Sequence, residues 1–285
     1  MPSKRPRTVR LLVWLAGTLA ACIVAWALLV GTKRPSNDRD WTEDGAQLPL
    51  ARFDGRRVHV MNVRNFDYTA TDKWTPRWET RTYELDQLRS VWFIVEPFSS
   101  IRGPAHTFLS FGFGDGDSAQ YVGISVEVRK EKGEHYHPVP ALFRHFELMY
   151  VVGDERDLVR LRSNFRRDSV FLYRVNTTPE RARELFVSML QRANLLRQHP
   201  EFYNTITNTC TTNIVRHVDT LVPGRVPKWS YKVLAPAYAD ELAYDLKLID
   251  TSKTFAEVRR AALINPVAQA ANDDPRFSQR IRQGK

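Results

Sequence analysis

The chain opens its pattern of apolar and polar positions at 11–30, LLVWLAGTLAACIVAWALLV, twenty residues without a charge. As a helix this run is about 30 Å long, the thickness of a bilayer's hydrocarbon core. Residues 31–47 are polar, with Gly31, Pro35, Ser36 and several charges, and read as a tether. RVHVMNVRNF (57–66) alternates apolar and polar positions, the period of a half-buried strand. Short β-prone runs follow at 107–113, 121–129, 147–152, 158–161 and 170–175. Gly-Asp-Gly-Asp at 114–117, residues 130–140 and Gly153-Asp154 separate them, and connections this short predict antiparallel pairing.

The period then changes. Thr178 and Pro179 offer an N-cap hydroxyl and a proline at the first helical position. Ala182, Leu185, Phe186, Met189, Leu190 and Ala193 follow on one face, and Pro200 ends that helix. A second helix is predicted from near Thr209 to about Leu221, and 237–246 and 253–263 are helical in pattern. The expectation is an α+β fold: an antiparallel sheet of about five or six strands flanked by helices, behind one N-terminal transmembrane helix. The divisions expected are a cytoplasmic N-terminus (1–10), the transmembrane helix (11–31), the tether (32–47), an extracytoplasmic domain with an N-terminal extension (48–250), and a helical, polar, basic tail (251–285).

Charge bears on the partner. The net charge is +10 and the pI about 9.7, with clusters around Arg156, Arg160 and Arg162, at Arg166 and Arg167, and at Arg280 and Arg282. Phosphates of nucleic acid or of anionic lipid both fit such a balance. No zinc-ligand spacing and no aromatic RNA-binding signature accompanies it, so a membrane surface is expected and nucleic acid is not. Lys4, Arg5, Arg7 and Arg10 precede the apolar run, which places the N-terminus in the cytoplasm and residues 32–285 outside. Leu19-Ala20-Ala21-Cys22 resembles a lipobox, with Cys22 as the lipidated residue. The apolar run continues for eight residues past Cys22, which suits a spanning helix better.

With Cys22 in the membrane run, the outer domain has one cysteine, Cys210, and no internal disulfide. It sits in FYNTITNTCTTNIVRH, at the start of a predicted helix, where the macrodipole stabilises a thiolate. A small buried core cysteine is the competing reading. A nucleophilic thiol needs a base. His217 lies on the same helix but about 10 Å up its axis, too far for proton transfer. His135 and His137 flank Tyr136 in a charged loop with no acidic cluster to complete a metal site. His59, His145 and His199 have no neighbours that suggest a role. His106 begins an otherwise apolar strand, and Glu127 lies in the next one, YVGISVEVR, with Ser125. If Glu127 shares a face with His106, it is the group to orient the imidazole. No cofactor and no metal is expected.

GPAHTFLSFGFGDG, SVEVRKEKGE, FELMYVVGDERDLVRLR, YNTITNTCTTNI and DELAYDLKLID, in that order, resemble the Lnb N-terminal periplasmic domain family, named for a bacterial lipoprotein N-acyltransferase. The resemblance implies a circularly permuted papain-like fold, in which the histidine strand precedes the cysteine helix. It implies Cys210 as nucleophile, His106 as general base and Glu127 as orienter. It also implies acyl transfer from a membrane lipid to a lipoprotein, in the bacterial inner membrane with the main domain periplasmic. The usual family motif has Asn immediately before the cysteine; here Thr209 stands there and Asn208 one residue earlier. The named member carries further membrane segments, so a partner membrane protein is a further expectation. A papain-like amidase or peptidase of the cell envelope and a non-catalytic binding module are the alternatives. An apolar groove beside Cys210 favours acyl chains, and a polar open cleft favours peptides.

Overall fold

The structure is a computed structural model that describes residues 7–98 and 102–285. Lys4 and Arg5, part of the charge argument for orientation, lie outside the described residues. The apolar run forms α1 (Arg7–Trp26), continued by a π-helical turn at Ala27–Gly31. None of its residues is buried, and its length and hydropathy are those of a membrane span.

The described strands are β1 (Leu50–Asp54), β2 (Arg57–Arg64), β3 (Asp67–Ala70), β4 (Lys73–Thr75), β5 (Trp78–Glu84), β6 (Leu88–Pro97), β7 (Ala105–Phe113), β8 (Gln120–Arg129), β9 (Glu147–Gly153) and β10 (Phe171–Arg174). Eight form one sheet in the order β1-β2-β9-β8-β7-β6-β10, with β5 also pairing β2; β3 and β4 make a separate hairpin. Every ladder in the large sheet is antiparallel except a parallel contact of β2 with β9 at Arg64 and Gly153. The sheet exceeds the five or six strands expected.

The remaining helices are α2 (Glu155–Arg160), α3 (Pro179–Gln198), α4 (Cys210–Leu221), α5 (Tyr231–Leu234), α6 (Ala239–Asp245), α7 (Phe255–Ala262), α8 (Asn265–Ala270) and α9 (Phe277–Arg280). The β-prone run at 158–161 is therefore helical, which corrects the expectation. Asp154 accepts a hydrogen bond from the backbone N–H of Arg156 and caps α2, and Leu161–Arg166 continues it as a π-helix. Leu158 is apolar because it packs onto the sheet where Gly123 and Gly153 leave room. A Cβ on Gly123 would lie 2.7 Å from Leu158 Cδ1.

The sheet has a core on each face. On one, Phe111, Phe113, Val122, Ile124 and Val126 pack against Leu185, Phe186, Met189 and Leu190 of α3 and Ile214 of α4. On the other, Trp92, Ile94, Phe108 and Met149 pack against Leu158 and Val159, and the C-terminal segment adds Ala268, Phe277 and Ile281. Arg282 secures that segment through two contacts to Glu155, at 2.6 and 2.7 Å, with its guanidinium 3.6 Å from the Tyr121 ring centre. Burying apolar side chains on both faces stabilises at about 25 cal/mol per Å² removed from water.

Candidate functional site

Cys210 is the first residue of α4 and is buried. The helix starts there because Thr209 and Thr212 form a capping box. The Thr209 hydroxyl accepts from Thr212 N–H, and the Thr212 hydroxyl accepts from Thr209 N–H at 2.7 Å. Asn208 serves the local scaffold. Its amide donates to the Phe202 carbonyl at 2.9 Å, and its oxygen accepts from Asn213. Thr107 of β7 ties α4 to the sheet, its hydroxyl 2.9 Å from that of Thr211.

His106 and Glu127 lie just past the last β7–β8 pair, Phe108 opposite Ser125. Carrying that register two residues on sets His106 opposite Glu127 on one face. Ser125 bridges them. His106 Nε2 is 2.6 Å from the Ser125 hydroxyl, which donates to Glu127 Oε1 at 2.7 Å; Nε2 is also 3.4 Å from that carboxylate oxygen. A hydroxyl that donates to the carboxylate accepts from the ring, so Nε2 carries a proton and Nδ1 is left for the thiol. The His106 ring stacks on Phe108, with centroids 5.5 Å apart.

Behind Glu127 stands Arg162, on the π-helical turn. It donates to Glu127 Oε1 at 2.9 Å and to the buried Glu96 at 2.5 Å, and its guanidinium lies 5.1 Å from the Phe108 ring centre. Glu96 is the β6 neighbour of His106. The histidine therefore sits between two carboxylates that share one arginine.

These contacts set the protonation. Burial alone raises the Cys210 thiol, but the charge and hydrogen bond of His106, helped by Thr107, override it and bring the pKa from 9.0 to about 7. Burial alone lowers His106, and Glu127 and Cys210 override that, raising it to about 10. Burial would raise Glu127, yet His106 and Arg162 hold it well below the usual carboxylate range. Near neutrality the arrangement favours a thiolate beside an imidazolium.

The other histidines are elsewhere. His217 is buried between the Tyr150 hydroxyl and Ser188, each at 2.8 Å, and burial with the nearby Arg192 and Arg216 lowers it to about 4. His137 accepts from Val139 N–H, His145 is 3.2 Å from Glu134, and His59 contacts Thr82. Among the described residues, no group of His, Cys, Asp and Glu has the arrangement of a metal site.

Along α4 lies a cavity of about 180 Å³, lined by Thr211, the residue after Cys210, and not by Cys210 itself. Thr211, Ile214, Val215 and Val218 of α4 form one wall, with Leu109 of β7 and Leu242 of α6 among the residues facing them. The lining is predominantly aliphatic. The structure brings together Cys210, His106 and Glu127, the three residues expected from the sequence, and adds Ser125 as a bridge, Arg162, Glu96 and this cavity, which sequence reasoning missed. The SVEV segment held the only signal for Ser125, two residues before Glu127 and so on the same face of the strand.

A family model, that of the Lnb N-terminal periplasmic domain, matches residues 74–237. The chain belongs to that family. The stretch matched to the Lnb N-terminal periplasmic domain contains His106, Ser125, Glu127, Arg162 and Cys210, while α1 lies outside it. No curated protein and no solved structure matches the chain.

Proposed function

We propose that this protein is a membrane-anchored thiol acyltransferase of the periplasm, which moves acyl groups of lipids or lipoproteins through Cys210 and His106. In this reading α1 spans the inner membrane with its N-terminus in the cytoplasm. The observation that carries the proposal is a thiol of lowered pKa at the start of α4, the helix whose Thr211, Ile214, Val215 and Val218 line an apolar cavity. A peptide would ask for backbone hydrogen-bond partners, which aliphatic side chains do not offer. An acyl chain asks only for apolar volume. A 150 Å³ apolar cavity holds benzene, so about 180 Å³ accommodates roughly six or seven carbons of a chain.

The steps follow from the protonation states. The Cys210 thiolate attacks the ester carbonyl of the donor, and the carbonyl π pair moves to oxygen. The backbone N–H groups of Cys210 and Thr211, the first two of α4, have no helical acceptors and suit that oxyanion. As the tetrahedral species collapses, the C–O bond breaks and imidazolium His106 protonates the leaving alcohol. A thioester remains on Cys210 beside neutral His106. An amine acceptor then attacks the thioester carbon and gives a proton to His106. The C–S bond breaks, an amide departs, and the thiolate–imidazolium pair is restored. Ser125 and Glu127 keep the ring in the tautomer these steps require, and Arg162 keeps Glu127 ionised.

The test is intact-protein mass spectrometry of the purified full chain incubated with phospholipid. The proposal expects an acyl adduct on Cys210 that hydroxylamine removes. It fails if no adduct forms and Cys210→Ala leaves the cellular phenotype intact.

A further inference from the structure

The end of α1 is fixed against one particular part of the domain. Arg144 donates to the Gly31 carbonyl at 3.0 Å, and its guanidinium lies 6.0 Å from the Trp26 ring centre. The chain leaving the helix is then held along the domain. Ser36 N–H donates to Glu147, Asn37 donates to the Leu196 carbonyl, and Arg39 pairs with Glu147 at 2.9 Å. The loop that carries Arg144 therefore lies where the helix emerges.

That loop is rich in exposed apolar side chains. Tyr136, Val139 and Phe143 are all exposed. It is joined to the turn preceding α4, where Thr205 donates to the Pro138 carbonyl at 2.8 Å and Asn204 to the Leu142 carbonyl at 3.3 Å. The same turn presents Ile206, which shares a depression of about 190 Å³ with Trp229 and Leu234. Trp229 is 79% exposed and Tyr231 62%. The apolar surface thus continues from the helix exit, across the turn before Cys210, to the segment before and within α5.

Cations accompany it. Arg216 and Lys228 line the depression and are exposed, as is Arg225 nearby; Asp219, which pairs with Lys228 at 2.7 Å, is the acidic group among them. Exposed Trp and Tyr beside Lys and Arg are the composition of a protein surface at the headgroup level of a bilayer. A contiguous exposed apolar patch rimmed by polar residues marks a protein or membrane interaction site. The depression also shares Val215 and Val233 with the apolar cavity along α4, so the two spaces adjoin at those side chains.

We propose that this face, centred on Phe143, Ile206 and Trp229, docks on the bilayer that α1 enters, and that the depression receives the lipid from the membrane plane. The occupant is the anionic lipid surface itself: the aromatics sit among its headgroups and the cations against its phosphates. The docking rests on α1 spanning a bilayer, and the lipid-entry part rests in addition on the acyltransfer reading.

The test uses the full chain in nanodiscs of phosphatidylethanolamine and phosphatidylglycerol, with Cys22→Ala and Cys210→Ala as background. A nitroxide is placed in turn at Trp229→Cys, Phe143→Cys, Leu19→Cys and Asp273→Cys. Asp273 is exposed and belongs to the C-terminal segment on the opposite face of the sheet. Collision with oxygen against a water-soluble nickel chelate reports depth. Docking predicts that labels at 229 and 143 favour oxygen severalfold over the label at 273, approaching the label at 19. A label at 19 in the bilayer with 229 and 143 as aqueous as 273 overturns the docking face and leaves the anchor standing. Labels at 229 and 143 shielded from both reagents overturn it in favour of a protein partner. A label at 19 that reads as aqueous overturns the anchor and the docking together. Given docking, long-chain acylation of Cys210 in the native background is expected to fall when Trp229→Asp lifts the face, while a short water-soluble thioester still acylates it. Equal loss with both donors overturns lipid entry.

Discussion

Replacing His106 with alanine removes the group that brings the Cys210 thiol down from 9.0 to about 7. Two pKa units correspond to about 2.7 kcal/mol of preference for the thiolate. Without the imidazole, only the Thr107 hydrogen bonds still oppose burial, and the thiol rises back to about its ordinary value. At pH 7 the thiolate fraction then falls from about one half to about 1%, roughly 50-fold. The rate of alkylation falls less than that, because a more basic thiolate is a better nucleophile. With a Brønsted slope of about 0.4–0.5, two units return a factor of about 6–10. The expected net loss at pH 7 is therefore only about 5–8-fold, and the midpoint of the pH profile is the sharper readout. The assay is iodoacetamide alkylation of Cys210 in a Cys22→Ser background, followed by intact mass from pH 5 to 10. Reactivity in the parent rises with pH through about 7 and then levels, because thiolate accumulates as pH passes the thiol's pKa. In the His106→Ala chain the rise moves to about pH 9. A midpoint that stays near 7 without His106, or lies near 9 with it, refutes the thiolate–imidazolium pair.

Arg162→Met leaves Glu96 and Glu127 buried or half-buried without their shared cation, and breaking a buried pair costs about 3–5 kcal/mol. Urea unfolding followed by circular dichroism is expected to show a loss of that size. A change under about 1 kcal/mol would mean the arginine is dispensable to the fold. Val218→Phe narrows the cavity along α4. If it displaces roughly three methylenes of an acyl chain at about 0.8 kcal/mol each, kcat/KM for a long-chain donor falls about 30-fold or more, with short-chain donors little changed. Equal loss for both chain lengths would separate the cavity from the substrate.

Much of the site could be read from single residues, and the missing parts follow a physical pattern. Cys210 announced itself through a helix start, and the Thr209–Thr212 box is the structural counterpart of that signal. His106 and Glu127 stood out as polar residues in apolar strands. Ser125 did not, because its role depends on the antiparallel register that sets Phe108 opposite it. Arg162 and Glu96 were invisible for the same reason: 66 residues separate them along the chain, and only folding brings the two together. The fold shows a similar division. Amphipathic α3 was plain from its spacing, whereas β6 is covered on both faces along much of its length and so shows little alternation. LVRL at 158–161 resembled a strand because a short apolar run carries no period of its own. Its place in a helix depends on Asp154 as the cap and on the space above Gly123 and Gly153.

Trapping the acyl group decides whether these residues form an active site. The full chain is incubated with phosphatidylethanolamine and no amine acceptor, digested, and the peptide containing Cys210 is weighed before and after hydroxylamine. A fatty-acyl mass on Cys210 that hydroxylamine removes, and that His106→Ala abolishes, is the outcome expected of a thiol acyltransferase. An unmodified Cys210 peptide in a folded chain whose thiol alkylates freely at pH 7 would contradict it.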